Sequence, residues 1–97
     1  MFDELGIKNR GKKLSMNSHI KLIKIIADFS IFLEFTSEEQ LDADTAVEMM
    51  EQMAAELQLL DAEDRQDIAI DLLAISAEYT GDKSEFVKEL PESLGLI

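Results

Sequence analysis

Apolar side chains recur every three or four positions along most of the chain, which is the spacing of one face of an α-helix. The first such segment, His19 to Phe35, is apolar on most of its circumference. Its charged residues Lys21, Lys24 and Asp28 form one narrow polar stripe at helical spacing. This pattern predicts a central helix that is the most buried of the fold.

The second half of this segment also fits a strand, because residues 29–35 alternate partly between apolar and polar positions. The alternation breaks at Phe32, and no other part of the chain offers a strand for pairing, so we predict helix throughout. In a helix, Ile31 and Phe35 lie on the side of the lysine stripe. They form a candidate contact patch, which the C-terminal tail is expected to cover.

A second helix is predicted from Asp44 to Leu60, because Thr45 and Glu48 have the spacing of a capping box. Met49 is expected near the surface, whereas the other methionines of this helix fall on its apolar stripe and are assigned to the core rather than to a binding surface. The stripe consists of Ala46, Met50, Met53, Leu57 and Leu60.

The third predicted helix begins with Asp61 as its N-cap and runs to about Tyr79, followed by Gly81 as a left-handed terminating residue. Only Asp61 separates it from the second helix, which predicts a tight antiparallel or steeply crossed helix pair. The positions expected to face inward are Ile68, Leu72, Ile75 and Tyr79.

A short helix is predicted from Ser84 to Leu90, ending at Pro91 because proline lacks the N–H that continues a helix. The apolar tip that follows, 94–97, is expected to dock on the core. The sequence thus predicts an all-α fold, a compact bundle of three main helices plus one or two short ones. We assign residues 16–97 to this single helical domain and residues 1–15 to a basic N-terminal arm, with Met1 and Met16 both candidate starts.

Length and composition support one folded core. The chain has 97 residues, of which 46% are hydrophobic and 31% charged, the balance of an ordinary globular domain. It contains no cysteine, which excludes disulfides and thiolate chemistry. Charged residues interrupt its apolar segments, so neither a membrane span nor a signal peptide is predicted. We expect a cytoplasmic protein.

The formal net charge is −12, and it is unevenly distributed. Residues 1–24 carry six basic and two acidic side chains, a net charge of +4, whereas residues 25–97 carry three basic and 19 acidic ones, a net charge of −16. Such a body repels nucleic acid and anionic lipid and attracts cationic proteins. We therefore expect neither a nucleic acid nor a membrane as partner. The acidity also serves solubility.

The residues required for catalysis are scarce. His19 is the one histidine, and its sequence neighbours include no carboxylate that would orient it. Nucleophilic catalysis and metal sites in enzymes usually depend on several histidines or on cysteine. With 21 acidic residues, chance pairs of carboxylates are unavoidable and carry no information. The sequence predicts a protein that is not an enzyme.

The sequence also departs from two known motifs, a calcium-binding loop and a prosthetic-group attachment segment. An EF-hand loop beginning at Asp42 would place Ala46, Val47 and Met53 at positions that require an oxygen ligand, a glycine and a glutamate. Residues 41–48 resemble the prosthetic-group segment of acyl carrier proteins, which are also small, acidic and helical. That family attaches its phosphopantetheine to a serine, where this chain has Thr45. We predict no metal and no cofactor.

The remaining candidate is an acidic surface on the third helix. Asp64, Asp67, Asp71 and Glu78 fall along one side of it, and Arg65 is the only base between Lys24 and Lys83. Repulsion on this side is therefore expected to be uncompensated until a cationic partner binds. The predicted partner-binding residues, including a flank of the second helix, are Asp61, Glu63, Asp64, Asp67, Asp71, Glu78, Glu48 and Glu51.

The stretch from Phe32 to Leu60 and the ending 86–95 resemble small bacterial proteins encoded beside polymorphic or contact-dependent growth inhibition toxins. The resemblance transfers no functional residue. It implies an immunity protein that neutralises a cognate basic toxin, a nuclease with a phosphate-binding site. The alternative is a structural or regulatory interaction module, in which homodimers would form through Ile31, Phe35 and the C-terminal leucines.

Overall fold

The computed structural model describes residues 16–97, and the predicted basic arm, 1–15, lies outside the described residues. Over that range the chain is all-α, as predicted, with no strand. A single 3₁₀ turn, Ser76–Glu78, follows the third helix. The helices are α1 (Met16–Phe35), α2 (Ala43–Leu57), α3 (Ala62–Ile75) and α4 (Gly81–Ser93).

The core lies where α1, α3 and α4 meet. Helix α1 contacts each of the other three helices, and the most extensive packing is between α3 and α4. The central position predicted for α1 is therefore confirmed. The fully buried side chains with the largest volumes in this core include Ile23, Leu72, Val87, Leu90 and Leu94.

Helix α1 is nevertheless not the most buried helix, and that prediction was wrong. Its Leu22, Ile25, Phe29 and Phe32 are exposed to solvent. Three helices of 13 to 15 residues leave part of the circumference of a 20-residue helix uncovered. An apolar strip of α1 consequently faces outward.

Helix α2 starts earlier and ends earlier than predicted. Its N-cap is Asp42, whose carboxylate accepts hydrogen bonds from the Thr45 backbone N–H at 3.0 Å and from the Thr45 hydroxyl at 3.3 Å. Thr45 therefore occupies the third position of the helix, where its N–H has no partner within the helix, and is not the cap. The helix ends at Leu57, three residues before Leu60.

The predicted tight pairing of the second and third helices is also wrong. Residues 58–61 separate α2 from α3, and α2 packs chiefly on α1. The predicted apolar stripe is confirmed, since Ala46 is buried and Met50, Met53 and Leu57 pack against the core. Helix α2 thus forms an outer layer on one side of α1.

Helix α3 begins as predicted. The Asp61 carboxylate accepts a hydrogen bond from the Asp64 backbone N–H at 3.0 Å. Three of the four predicted inward positions, Ile68, Leu72 and Ile75, are buried. The α-helix ends at Ile75 instead of continuing to Tyr79, which is half-buried.

Helix α4 is longer than predicted at both ends. It begins at Gly81, which has the predicted left-handed conformation, φ +58°, but lies at the start of α4 rather than at the end of α3. Pro91 lies inside the helix and is fully buried. Its packing in the core holds the last helical turn in place despite the missing N–H.

The chain docks on the core beyond α4, as predicted for its apolar tip. Gly95 has φ +71°, and the Gly95 and Leu96 N–H groups donate to the carbonyls of Glu92 at 3.0 Å and Pro91 at 2.8 Å. This is a Schellman motif, in which a left-handed glycine turns the chain back. Leu94 and Leu96 are buried, whereas Ile97 is exposed, contrary to expectation.

Candidate functional site

The first half of α3 carries the densest group of free carboxylates predicted from the sequence. Glu63, Asp64 and Asp67 are exposed. Asp61 is exposed as well, but its carboxylate already caps the helix. Among the described residues, no cationic side chain lies within ion-pair distance of Glu63, Asp64 or Asp67. These three residues are called the acidic face below.

Arg65 lies between Asp64 and Asp67 in the sequence, but at about 100° per residue its side chain leaves the helix on the side away from Glu63 and Asp67 and does not neutralise the acidic face. Its guanidinium Nη1 donates to the Leu60 carbonyl at 2.9 Å and to the Gln58 carbonyl at 3.4 Å. Both carbonyls follow the end of α2, where free carbonyl groups and the helix dipole attract a cation. The one base of this region therefore serves the joint between two helices.

The other predicted acids of this side, Asp71 and Glu78, are paired with α1. Asp71 Oδ2 lies 2.6 Å from His19 Nε2, and Glu78 Oε1 accepts a hydrogen bond from Lys24 Nζ at 2.8 Å. The prediction that charge repulsion is uncompensated along the whole side is therefore wrong at Glu78, which pairs with a lysine. His19 does have a carboxylate that orients it, that of Asp71, which lies 52 positions away and therefore is not among its sequence neighbours.

A polar cluster continues this seam between α1 and the end of α3. The Tyr79 hydroxyl donates to Asp28 Oδ1 at 2.5 Å, and Lys24 Nζ lies 5.6 Å from the centre of the Tyr79 ring. The hydrogen bond to Glu78 and its negative charge raise the pKa of Lys24. Burial raises the pKa of Tyr79 well above its usual range, with contributions from the hydrogen bond to Asp28 and the charges of Asp28 and Glu78.

Tyr79 is the only tyrosine of a chain without tryptophan, so its ionisation can be followed directly by ultraviolet absorbance. Because its folded-state pKa is raised, the resulting stability is present below the unfolded-state pKa of about 10 and is lost as pH rises above that value. We expect the tyrosinate band to appear well above about pH 10 in the folded protein. Asp28→Asn should shift it towards lower pH.

Glu34→Gln is the matched control for Asp28→Asn. Both residues lie on α1, and the carboxylate of Glu34 does not contact Tyr79. It should leave the tyrosine titration unchanged. A wild-type titration at the ordinary value for tyrosine, with helical circular dichroism intact, would contradict the described contact with Asp28.

The predicted flank of the second helix does not join the acidic face. Glu48 and Glu51 are exposed on α2, which packs on α1. Glu51 lines a separate pocket of about 390 Å³ with Glu34 and Glu38. Apolar side chains of α1 and α2 form the base of that pocket. It is an acid-rimmed apolar depression that sequence spacing did not predict.

The residues assigned to the alternative, a homodimer, are largely occupied within the chain. Leu94 and Leu96 are buried, and Ile31 packs against the core. Phe35 makes an edge-to-face contact with Phe86 of α4, with ring centres 5.6 Å apart. The patch beside the lysine stripe is thus covered in part by Phe86 of α4, where the C-terminal tail was expected, and Phe35 remains exposed.

Comparisons with protein-family models, with curated proteins and with solved structures gave no match. Within residues 16–97, no helix has the length and apolar character needed to cross a membrane. The same part of the chain holds no group of three or more histidine or acidic side chains arranged to bind a metal ion.

Proposed function

We propose that this protein binds a basic partner protein through the acidic face and acts without catalysis. The observation that carries the proposal is the orientation of Arg65. With its guanidinium bound to backbone carbonyls, the carboxylates of Glu63, Asp64 and Asp67 have no cation among the described residues. A lysine-rich or arginine-rich surface would supply one.

The proposed contact surface contains fewer residues than the sequence predicted. Asp71 and Glu78 already hold His19 and Lys24, so a partner would gain less from them than from the free carboxylates. Asp61 is needed as a helix cap. The surrounding acidity still contributes, because a net charge of −12 accelerates association with a cationic protein.

An immunity protein against a nuclease toxin is the function that this chemistry fits best. Nucleases bind phosphates through basic active sites, and an acidic protein surface competes for the same groups. The resemblance to proteins encoded beside bacterial toxins supports the same proposal. The proposal includes a cytoplasmic location, where such a toxin would act. The single histidine and the absence of cysteine support a non-catalytic role.

The test is co-expression in bacteria with the product of the neighbouring reading frame, which the proposal identifies as the toxin, followed by measurement of the affinity of the purified pair. Reversing the acidic face with Glu63→Lys, Asp64→Lys and Asp67→Lys should weaken binding at least about tenfold and remove protection, because several favourable charge pairs become repulsive. Thermal unfolding of the variant shows whether the fold is retained.

The matched control changes the charge by the same amount elsewhere, at three exposed carboxylates of α4: Glu85→Lys, Glu89→Lys and Glu92→Lys. It should reduce the long-range attraction and leave most of the protection. Equal loss of affinity and protection in both triple variants would show that binding depends on net charge and not on the acidic face. Wild-type protein that gives no protection against the neighbouring toxin would refute the immunity proposal itself.

A further inference from the structure

The pocket with the acidic rim lies between the end of α1, the start of α2 and the connection that joins them. The connection, 36–42, contains a tight turn in which the Leu41 N–H donates to the Ser37 carbonyl at 2.9 Å. Leu41 of this turn lines the pocket, whose volume is about 390 Å³. Sites for small organic molecules have volumes of about 300 to 1,000 Å³. The pocket is therefore large enough for one such molecule.

The floor of the pocket is apolar. Two of its side chains, Leu33 and Ala46, are buried, and Met50 is half-buried. A molecule with an apolar body would gain free energy by removing this surface from water. The apolar residues that line the pocket are Leu33, Leu41, Ala43, Ala46, Val47 and Met50.

Among the described residues, every charged side chain that lines the pocket is acidic. Glu34 comes from α1, Glu38 from the connection and Glu51 from α2, so each of the three segments contributes one carboxylate. All three side chains are exposed. Within residues 16–97, no lysine, arginine or histidine lies within ion-pair distance of any of them. The lining itself therefore selects for positive charge.

The end of α1 adds to the negative potential of the pocket. This helix ends at Phe35 and has no lysine or arginine in its last turn. The free carbonyl groups at a helix C-terminus carry a partial negative charge that attracts a cation. The start of α2 also borders the pocket, at Ala43, but the carboxylate of Asp42 already caps that positive end.

We propose that this pocket binds a small amphipathic cation, an organic molecule with an apolar body and an ammonium group. The body lies on the apolar floor, and the ammonium group reaches the exposed glutamates at the rim. A metal ion would leave the floor uncovered, and a neutral apolar molecule would leave the carboxylates without a partner. The proposal goes beyond the proposed function, since the pocket shares no residue with the acidic face and requires no toxin.

A second copy of this chain is a poorer occupant of the pocket. In a twofold interface the same surface of both copies meets. A dimer centred on the pocket would thus place Glu34, Glu38 and Glu51 of one copy against the same three residues of the other. Like charges facing each other across an interface cost free energy, whereas a small cation reduces the charge of the rim.

The experiment titrates the ¹⁵N-labelled full-length protein with 4-phenylbutylamine, which is a cation at neutral pH, and follows the amide signals by NMR. Two matched probes each lack one part of the proposed ligand. The alcohol 4-phenylbutanol has the same apolar body without charge, and 1,4-diaminobutane has the charge without an aromatic body. We expect saturable binding of 4-phenylbutylamine, with shifts centred on the pocket, and at least about threefold weaker binding of each matched probe.

Filling the pocket should abolish most of this binding. Ala43 is exposed, so Ala43→Trp places a large side chain in the pocket without replacing a core residue. We expect it to weaken binding of 4-phenylbutylamine at least about tenfold, because the apolar floor is no longer accessible. Ala55→Trp is the matched variant, since Ala55 is an exposed alanine of the same helix that does not line the pocket. It should bind 4-phenylbutylamine as wild type does.

Removing one carboxylate tests the charge. Glu51→Gln should weaken binding of 4-phenylbutylamine and leave binding of 4-phenylbutanol unchanged. Glu48→Gln is the matched variant, because it changes the net charge equally on the same helix at a side chain that does not line the pocket. It should affect neither probe. The triple variant of the acidic face should bind 4-phenylbutylamine nearly as well as wild type, which separates this proposal from the proposed function.

Four outcomes would overturn the proposal. Shifts that do not saturate would show that no site exists. Equal affinity for 4-phenylbutylamine and 4-phenylbutanol would show that the carboxylates are not used, and equal affinity for 4-phenylbutylamine and 1,4-diaminobutane would show that the floor is not used. Equal effects of Ala43→Trp and Ala55→Trp would place the binding site elsewhere.

Discussion

Replacing Leu72 by alanine is expected to lower the free energy of unfolding by about 3 kcal/mol. Leu72 is fully buried in the cluster that joins α1, α3 and α4, so its truncation loses apolar burial and leaves a cavity lined by all three helices. A domain of this size has a total stability of roughly 5 to 15 kcal/mol, so the loss is a large share of it. Urea unfolding followed by circular dichroism measures the change.

Leu73→Ala is the matched control, because it is the same substitution on the same helix. Leu73 is the next residue on the same helix and is 50% exposed, so the same truncation removes much less buried surface. Its cost should stay below about 1 kcal/mol. Similar losses for the two variants would contradict the orientation of α3, since a rotation of about 100° exchanges adjacent helical positions.

Gly95→Ala is expected to destabilise the protein by about 2 kcal/mol for two separate reasons. The residue has φ +71°, a conformation that costs side chains other than glycine roughly 1 kcal/mol or more. A Cβ there would also clash with Gln58 Nε2. The Gln58 side chain must then move and lose its hydrogen bond to the Leu94 carbonyl, which is 3.1 Å long.

Gly81→Ala separates the two contributions, because Gly81 has φ +58° and an added Cβ would meet no atom within 4 Å. It should cost about 1 kcal/mol, the conformational part alone. In a Gln58→Ala background, Gly95→Ala should fall to a similar value. If the cost of Gly95→Ala stays the same in that background, the steric and hydrogen-bond contribution of Gln58 is absent.

The features that local rules govern were predictable from the sequence. Asp61 caps α3 because its carboxylate reaches an N–H three residues away, and that spacing is visible in the chain. The buried positions of α3 and the docking of Leu94 and Leu96 follow from helical periodicity and from the cost of exposing leucine. Gly81 has the predicted left-handed conformation, although at the start of α4 and not at the end of α3.

The features that depend on contacts between distant residues were not predictable. Pro91 remains inside α4 because the buried core holds the turn around it, and packing of that kind leaves no local signal. The pairing of Asp71 with His19 joins residues from different helices. The exposed stripe of α1 did have a signal in the sequence, because this helix is apolar over more of its circumference than three neighbouring helices can cover. Which arc stayed open depended on how α2 packs.

The order of burial has a consequence for synthesis of the chain. The core is completed by Val87, Leu90, Leu94 and Leu96, all of which the ribosome adds after α1, α2 and α3. Until those residues leave the exit tunnel, the nascent chain exposes Ile23 and Leu72 as well as the outer stripe of α1. Folding of this domain therefore cannot be completed until α4 has left the exit tunnel, and a chaperone that binds apolar helices can act on the nascent chain until then.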